Sequence, residues 1–136
     1  MPQIRWEIWK CFMYQPKSAK ISQSSLLEQN LSETLSISIT KDLNRTFPCH
    51  PYFLLPSTQS LLFSLLSQLS LRYPHIGYTQ GMNFTAGFIL LVSGGDLNQA
   101  YNLYLGMVDR LGITGFYEDG FPMTYWLIYV FQRKLE

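Results

Sequence analysis

The feature that most constrains the fold is a leucine repeat with helical spacing in the middle of the chain. The leucines recur at steps of three and four, which places them on one broad face of a helix. They are Leu61, Leu62, Leu65, Leu66 and Leu69. Pro56 and Ser57 mark the start of this helix, and Pro74 requires it to end before residue 74. So wide an apolar face needs other elements to cover it, so the repeat predicts a packed helical core.

A second helix is predicted over residues 31–45, because apolar residues recur there at every fourth position. These residues are Leu31, Leu35, Ile39 and Leu43. Residues 36–40 also alternate between apolar and polar, as a strand does, but the four-residue repeat is the longer pattern. We expect Pro48 and Pro51 to stop this helix and to hold the backbone around Cys49 and His50 extended.

The N-terminal residues predict a short helix and then a loop. Trp6, Trp9 and Met13 have the spacing of a short amphipathic helix. From residue 15 to residue 30 the composition changes to Pro, Ser, Gln and Lys, which predicts a Ser/Gln-rich loop or linker.

Three more helices are predicted after the glycine-containing loop at residues 74–81. One covers residues 82–92 and ends at a glycine pair. The next has Asp96 as its N-cap and ends at Gly112, and the last begins near Pro122. Strands and helices do not alternate along the sequence, so the predicted fold class is all-α.

The last predicted helix is apolar nearly all round between residues 123 and 131. Such a helix is normally buried on all sides. The sequence ends five residues after Phe131, so we expect either that another chain covers this helix or that the sequence is part of a larger domain. The second explanation is preferred.

Charge and composition exclude several classes of partner. Ten Lys and Arg oppose nine Asp and Glu, and this balance argues against nucleic acid or an anionic membrane as the main partner. The longest apolar run, at residues 84–92, is too short for a transmembrane segment, and the N-terminus lacks a signal-peptide core. Two cysteines without a secreted framework favour a reducing compartment. The expected location is therefore the cytoplasm.

Two side chains suit phosphoryl-transfer chemistry. Arg45 falls at the last turn of a predicted helix before a proline break, so its guanidinium can project from the body of the protein. Gln80 lies in a loop between two glycines, Gly77 and Gly81, immediately before a predicted helix. An arginine offers a planar fork of donors to phosphate oxygens, and a glutamine can orient an attacking water.

The segments around these side chains resemble the two finger motifs of TBC domains, the GTPase-activating modules for Rab proteins. Ile39, Asp42 and Arg45, followed by Thr46-Phe47-Pro48, are similar to the family's arginine-finger motif, Ile-x-x-Asp-x-x-Arg. Tyr78-Thr79-Gln80 is similar to its glutamine-finger motif, Tyr-x-Gln, and Arg5 to Trp9 is similar to its opening helix. Each motif alone is weak, whereas their order along one chain is a strong match.

The resemblance implies a partial TBC domain over residues 1–136, truncated on the C-terminal side. Within it, residues 31–83 would carry the fingers and residues 84–136 would be a helical continuation. The long segment at residues 15–30 departs from the family's tighter connection.

The resemblance also implies a function. The partner would be a Rab-type small GTPase in its GTP-bound form. The process would be vesicle trafficking, with the chain peripheral on endomembranes. Arg45 and Gln80 would act in the partner's active site, with Asp42, Tyr78 and Asn83 supporting them. GTP and Mg²⁺ would belong to the partner, so no cofactor or metal is expected here, and the chain would not hydrolyse GTP by itself.

Structural alternatives exist for each of these residues. An arginine near a helix C-terminus commonly favours the helix dipole or pairs with a local acid, and a glutamine in a turn commonly bonds the backbone. Cys49, His50 and His75 lack the spacing of metal ligands or of a nucleophile with its base. The rival function is a catalytically silent helical scaffold that binds a small GTPase or forms part of a larger assembly.

Overall fold

The computed structural model describes residues 7–9, 11 and 31–135, and within these ranges helix is the regular structure. The long helices are α1 (Glu33–Leu43), α2 (Pro56–Arg72), α3 (Met82–Val92), α4 (Leu97–Leu111) and α5 (Pro122–Leu135). Two short 3₁₀ helices, Pro51–Leu54 and Ile113–Phe116, lie in the connections. The all-α prediction is confirmed, and the strand alternative at residues 36–40 is wrong.

The helix ends follow from local capping. The Ser32 hydroxyl accepts from the Leu35 N–H at 3.3 Å, and the Asp96 carboxylate accepts from the Gln99 N–H at 2.9 Å. Gly112 closes α4 in the left-handed conformation, with φ 61°. At Asp96 the hydrogen bond from the Gln99 backbone lowers the pKa of the carboxyl group.

Helix α2 forms the centre of the core. Its leucines contact the buried faces of α1, α3 and α4, and burying each one contributes roughly 1.5–3 kcal/mol. The fully or nearly buried apolar side chains in the long helices are Ile39, Leu62, Leu65, Leu66, Leu69, Met82, Ala86, Ile89, Leu90, Ala100, Tyr101, Leu103 and Tyr104. The predicted broad face of α2 is thus the main packing surface, and Leu61 lies partly buried at its edge.

The segment after α1 is more compact than the two prolines predict. The backbone is extended at His50, but Cys49 lies in a turn that the His50 N–H closes on the Phe47 carbonyl at 2.9 Å. Pro48 stands at the second position of that turn, which its fixed φ favours. Pro51 starts a 3₁₀ helix, because a proline needs no partner for a backbone N–H at that position.

Helix α5 differs from the others in how little of it is covered. It packs against the 3₁₀ helix Ile113–Phe116, where a side chain on Gly115 would press on Met123. Its outward side chains are large and apolar, with Tyr125 68% exposed and Phe131 66% exposed. Among the described residues nothing covers them, and whether another chain or more of a domain does so remains a prediction.

Two further findings concern the rest of the chain. In the described ranges no helix combines the length and hydropathy of a membrane span. Residues 7–9 are helical, as predicted, whereas Trp6, Met13 and the predicted loop at residues 15–30 lie outside the described residues.

Candidate functional site

Arg45 and Gln80 border the same open cavity, although 34 residues separate them in the sequence. The cavity has a volume of about 230 Å³ and lies between the end of α1 and the loop before α3. Its lining consists of Ser38, Lys41, Asp42, Arg45, Tyr78 and Gln80. Four of the five predicted site residues therefore meet at one place.

Asp42 is the buried anchor of this cavity. Its side chain is 3% exposed, whereas that of Arg45 is 57% exposed. The Arg45 Nε donates to Asp42 Oδ1 at 2.6 Å, and Nη2 donates to the same oxygen. The Tyr78 hydroxyl donates to Oδ2 at 2.6 Å. Each carboxylate oxygen thus has its own donor, which offsets the desolvation of a buried charge.

The sequence predicts Arg45 in the last turn of its helix, but the residue lies beyond the helix end. Helix α1 ends at Leu43, and the Arg45 N–H bonds the Asp42 carbonyl at 3.3 Å in the following turn. The guanidinium is consequently exposed on one side and paired with Asp42 on the other. That arrangement fixes its position while leaving some of its five N–H donors unused.

Tyr78 acts in this site as a hydrogen-bond donor. Burial raises the pKa of its hydroxyl, and the hydrogen bond to Asp42 and the negative charge of Asp42 raise it further. The phenol therefore keeps its proton throughout the neutral range. It cannot serve as a general acid or base there, but it holds the Asp42 carboxylate.

A second set of hydrogen bonds joins the arginine segment to the glutamine loop. The Thr46 hydroxyl donates to the Asp42 carbonyl at 2.7 Å, and Asn83 Nδ2 donates to the Thr46 hydroxyl at 2.8 Å. Asn83 Oδ1 accepts from the Gly81 N–H at 3.1 Å. Thr46 and Asn83 are each 1% exposed, so no solvent competes for these bonds.

The loop that carries Gln80 turns at two glycines. Gly77 has φ 63° and Gly81 has φ 106°, conformations that an L side chain rarely adopts. Between them the Thr79 hydroxyl bonds the Tyr117 carbonyl at 3.3 Å, which ties the loop to the region after α4. The Gln80 side chain is exposed and has no hydrogen-bond partner among the described residues. Its backbone is held while its carboxamide can engage a partner.

Two residues of the site escaped the sequence analysis. Thr46 stands in the Thr-Phe-Pro segment of the sequence. A Thr hydroxyl can donate to the backbone carbonyl four residues earlier, here that of Asp42, and this spacing is the signal that could have identified it. Lys41 is exposed and lines the same cavity as Arg45, so two cations border it. With one carboxylate between them, the described lining carries a net positive charge that favours an anionic group.

The cysteine and histidines form no comparable cluster. His50 accepts a hydrogen bond from the Tyr52 N–H at 3.2 Å, and Cys49 is an exposed free thiol. Across the described part of the chain, no three His, Cys, Asp or Glu residues lie close enough together to hold a metal ion.

Comparisons with known proteins identify the family. The model of the Rab-GTPase-TBC domain matches residues 2–136. TBC1 domain family member 1 of Bos taurus is 32% identical over 145 residues, covering 96% of this chain. The GTPase-activating protein GYP5 of Saccharomyces cerevisiae is 29% identical and covers 99% of it. Growth hormone-regulated TBC protein 1-A of Danio rerio is 42% identical over 72 residues, 51% of this chain.

The chain spans only 12%, 14% and 20% of the length of these three relatives. The family match nevertheless extends over nearly every residue and includes both segments that border the cavity. On that evidence, this chain belongs to the Rab-GTPase-TBC domain family.

Proposed function

We propose that this chain stimulates GTP hydrolysis by a Rab-type small GTPase in its GTP-bound form. The observation that carries the proposal is the meeting of Arg45 and Gln80 at one open, positively charged cavity. The relative GYP5 is itself a GTPase-activating protein, which supports the same activity here. The nucleotide and its Mg²⁺ belong to the partner, and the chain alone hydrolyses no GTP. The proposed setting is vesicle trafficking at the cytoplasmic side of endomembranes.

In this mechanism Arg45 neutralises charge that develops on the transferring phosphoryl group. Its pairing with Asp42 holds the guanidinium at the edge of the cavity before the partner arrives. The Tyr78 hydroxyl occupies the other carboxylate oxygen, so Asp42 cannot enclose the arginine from both sides. Preorganisation of this kind lowers the cost of positioning the finger in the transition state.

Gln80 positions the attacking water. A carboxamide oxygen accepts a hydrogen bond from that water, and the amide NH₂ can donate to the partner or to a phosphate oxygen. Asn83 holds the loop that carries Gln80 through the Gly81 N–H, and Thr46 connects Asn83 to the arginine segment. The two fingers are thereby held at a fixed separation.

The test is single-turnover GTP hydrolysis by a panel of Rab proteins with wild-type, Arg45→Ala and Gln80→Ala chains. An arginine supplied in trans accelerates hydrolysis by about 10³–10⁵-fold, so Arg45→Ala should lower the stimulated rate at least a hundredfold. Arg110→Ala and Gln132→Ala change the same residue types on exposed surfaces outside the cavity and serve as matched controls. Equal losses in the controls, or no stimulation by a folded chain, would reject the proposal.

A second candidate function, binding without catalysis, is favoured by one observation. The outward face of α5 is aromatic and uncovered by any described residue, as expected of a subunit of a larger assembly. The same panel of Rab proteins, measured for binding as well as for hydrolysis, separates the two functions. A chain that binds a GTP-loaded Rab but stimulates none would establish the scaffold, because binding does not need the transition-state contacts of either finger.

A further inference from the structure

Four aromatic side chains lie together on the outward side of α3, two of them exposed and two half-buried. Phe84 and Phe88 are one helical turn apart on the same side of α3 and are 43% and 44% exposed. Phe47 lies two residues after Arg45 and packs edge-on against Phe84, with ring centroids 5.4 Å apart. Trp9 packs in the same manner on Phe88, with centroids 5.7 Å apart. We call these four residues the aromatic row.

Helix α3 (Met82–Val92) contains no charged residue, and its inward positions already form part of the core. The solvent-facing positions of a helix are ordinarily polar, so phenylalanines at two such positions one turn apart are unusual. Single exposed apolar residues need no explanation, but a contiguous row beside a cavity marks an interaction site.

The backbone near Arg45 is shaped to support the row. Phe47 adopts φ 47°, a left-handed conformation that is unfavourable for an aromatic residue. Gly87 makes room for it, because a Cβ at Gly87 would lie 3.3 Å from the Phe47 ring and 3.1 Å from Thr46. Strained backbone beside a candidate site is a feature that function commonly requires.

The size of a GTPase interface places the row within the partner's reach. A standard interface covers about 800 Å² of each protein, or a disc of about 16 Å radius. Helix α3 starts two residues after Gln80, and at 1.5 Å of rise per residue Phe84 and Phe88 lie only about 3 Å and about 9 Å along it from Met82. A globular partner that accepts Gln80 therefore extends over them.

We propose that the aromatic row docks an apolar patch of the Rab-type GTPase, beside the nucleotide site that receives Arg45 and Gln80. This inference rests on the proposed function and assigns the binding energy to residues other than the fingers. Exposed aromatic anchors commonly dominate such interfaces, whereas the fingers act on the transition state. The row therefore controls affinity for the partner and the fingers control the rate once it is bound.

The test measures Kd for a Rab-type GTPase loaded with a nonhydrolysable GTP analogue, together with KM and kcat for its stimulated hydrolysis. Phe84→Ser should raise Kd and KM at least about tenfold and change kcat less than about threefold. Phe84→Leu removes the same ring contact with Phe47 but keeps an apolar surface, so its Kd should rise less than about threefold. Leu111→Ser, at a half-exposed position at the end of α4, is the control and should leave Kd within twofold. Circular dichroism establishes that each variant is folded.

The outcomes separate this inference from the proposed function. If the wild-type chain stimulates hydrolysis but Phe84→Ser binds within twofold of it, the docking role is wrong and the finger mechanism stands. If the wild-type chain binds without stimulating, the finger mechanism fails and the Kd of Phe84→Ser still decides the docking role. A folded chain that neither binds nor stimulates any member of the panel overturns both.

Discussion

Two regions of the molecule have opposite surfaces: the region that carries Arg45 and Gln80, and helix α5. In residues 31–83 the exposed residues at the cavity are polar or charged, and the buried Asp42 and Thr46 are both hydrogen-bonded. In α5 the exposed residues between 125 and 131 are aromatic or aliphatic, and they remain 44–68% exposed among the described residues. The first region pairs the buried polar groups of its cavity with one another, whereas the second offers apolar area. The geometry of the cavity depends on local hydrogen bonds, and no described residue of α5 takes part in them.

The strongest test of that contrast removes the charge at its centre. Asp42→Asn should lower stimulated hydrolysis at least tenfold while changing partner Kd less than about threefold, because an amide can still bond Tyr78 but holds Arg45 without a charge-assisted bond. The same variant should lose about 1–3 kcal/mol in free energy of unfolding. Kinetics, binding and denaturant titration supply the three values.

Asp119→Asn is the control for this change, since Asp119 is exposed and lies outside the cavity. Equal losses of activity and of binding in Asp42→Asn would contradict a positioning role. They would indicate that Asp42 matters for folding alone.

A smaller effect is expected from the link between the two segments. Thr46→Val keeps the volume but removes the hydroxyl that bridges the Asp42 carbonyl and Asn83. The Asp42 carbonyl still accepts from the Arg45 N–H, but the buried Asn83 amide donor is left unpaired, which should lower the free energy of unfolding by about 1–2 kcal/mol. Thermal and denaturant unfolding measure it, and Thr46→Ser, which retains the bridge, should recover most of the hydrogen-bond contribution. Identical losses in the two variants would mean that the Thr46 methyl group matters rather than its hydroxyl.

The smallest effect is expected in α5. Trp126→Ser should change the free energy of unfolding of this 136-residue chain by less than about 0.5 kcal/mol, because that side chain is 57% exposed. Denaturant unfolding at several protein concentrations is the measurement. A large loss that grows with protein concentration would show that copies of the chain cover α5, and the contrast between the two regions would disappear in solution.

Much of the fold could be predicted because its signals are local. Helices α2 to α5 begin where a proline, an N-cap or a glycine turn marks the sequence. Helix α1 begins two residues later than predicted because Ser32 caps it, and it ends two residues earlier, at Leu43. The turn at Cys49 was missed because the closing hydrogen bond from His50 to Phe47 is not encoded by the prolines alone.

The site was predicted less completely. The motifs pointed to Arg45 and Gln80, but only the folded chain brings the Tyr78 hydroxyl to Asp42 across 36 positions. Lys41 and Thr46 gained meaning only from the cavity and from the Asn83 contact. Periodicity identifies which face of a helix is inside, but it carries no information about which loops meet.

The burial of Thr46 and Asn83 separates two kinds of evolutionary constraint within the same short motifs. Both are 1% exposed and hydrogen-bonded, so losing either affects folding, whereas Gln80 gives the core no hydrogen bond and Arg45 gives it only the pairing with Asp42. In a lineage that no longer needs activity, drift would erase the two exposed side chains first and preserve the buried pair. Descendants that retain Thr46 and Asn83 can thus keep the fold after the proposed chemistry is gone, and only the exposed positions would record whether selection for it continues.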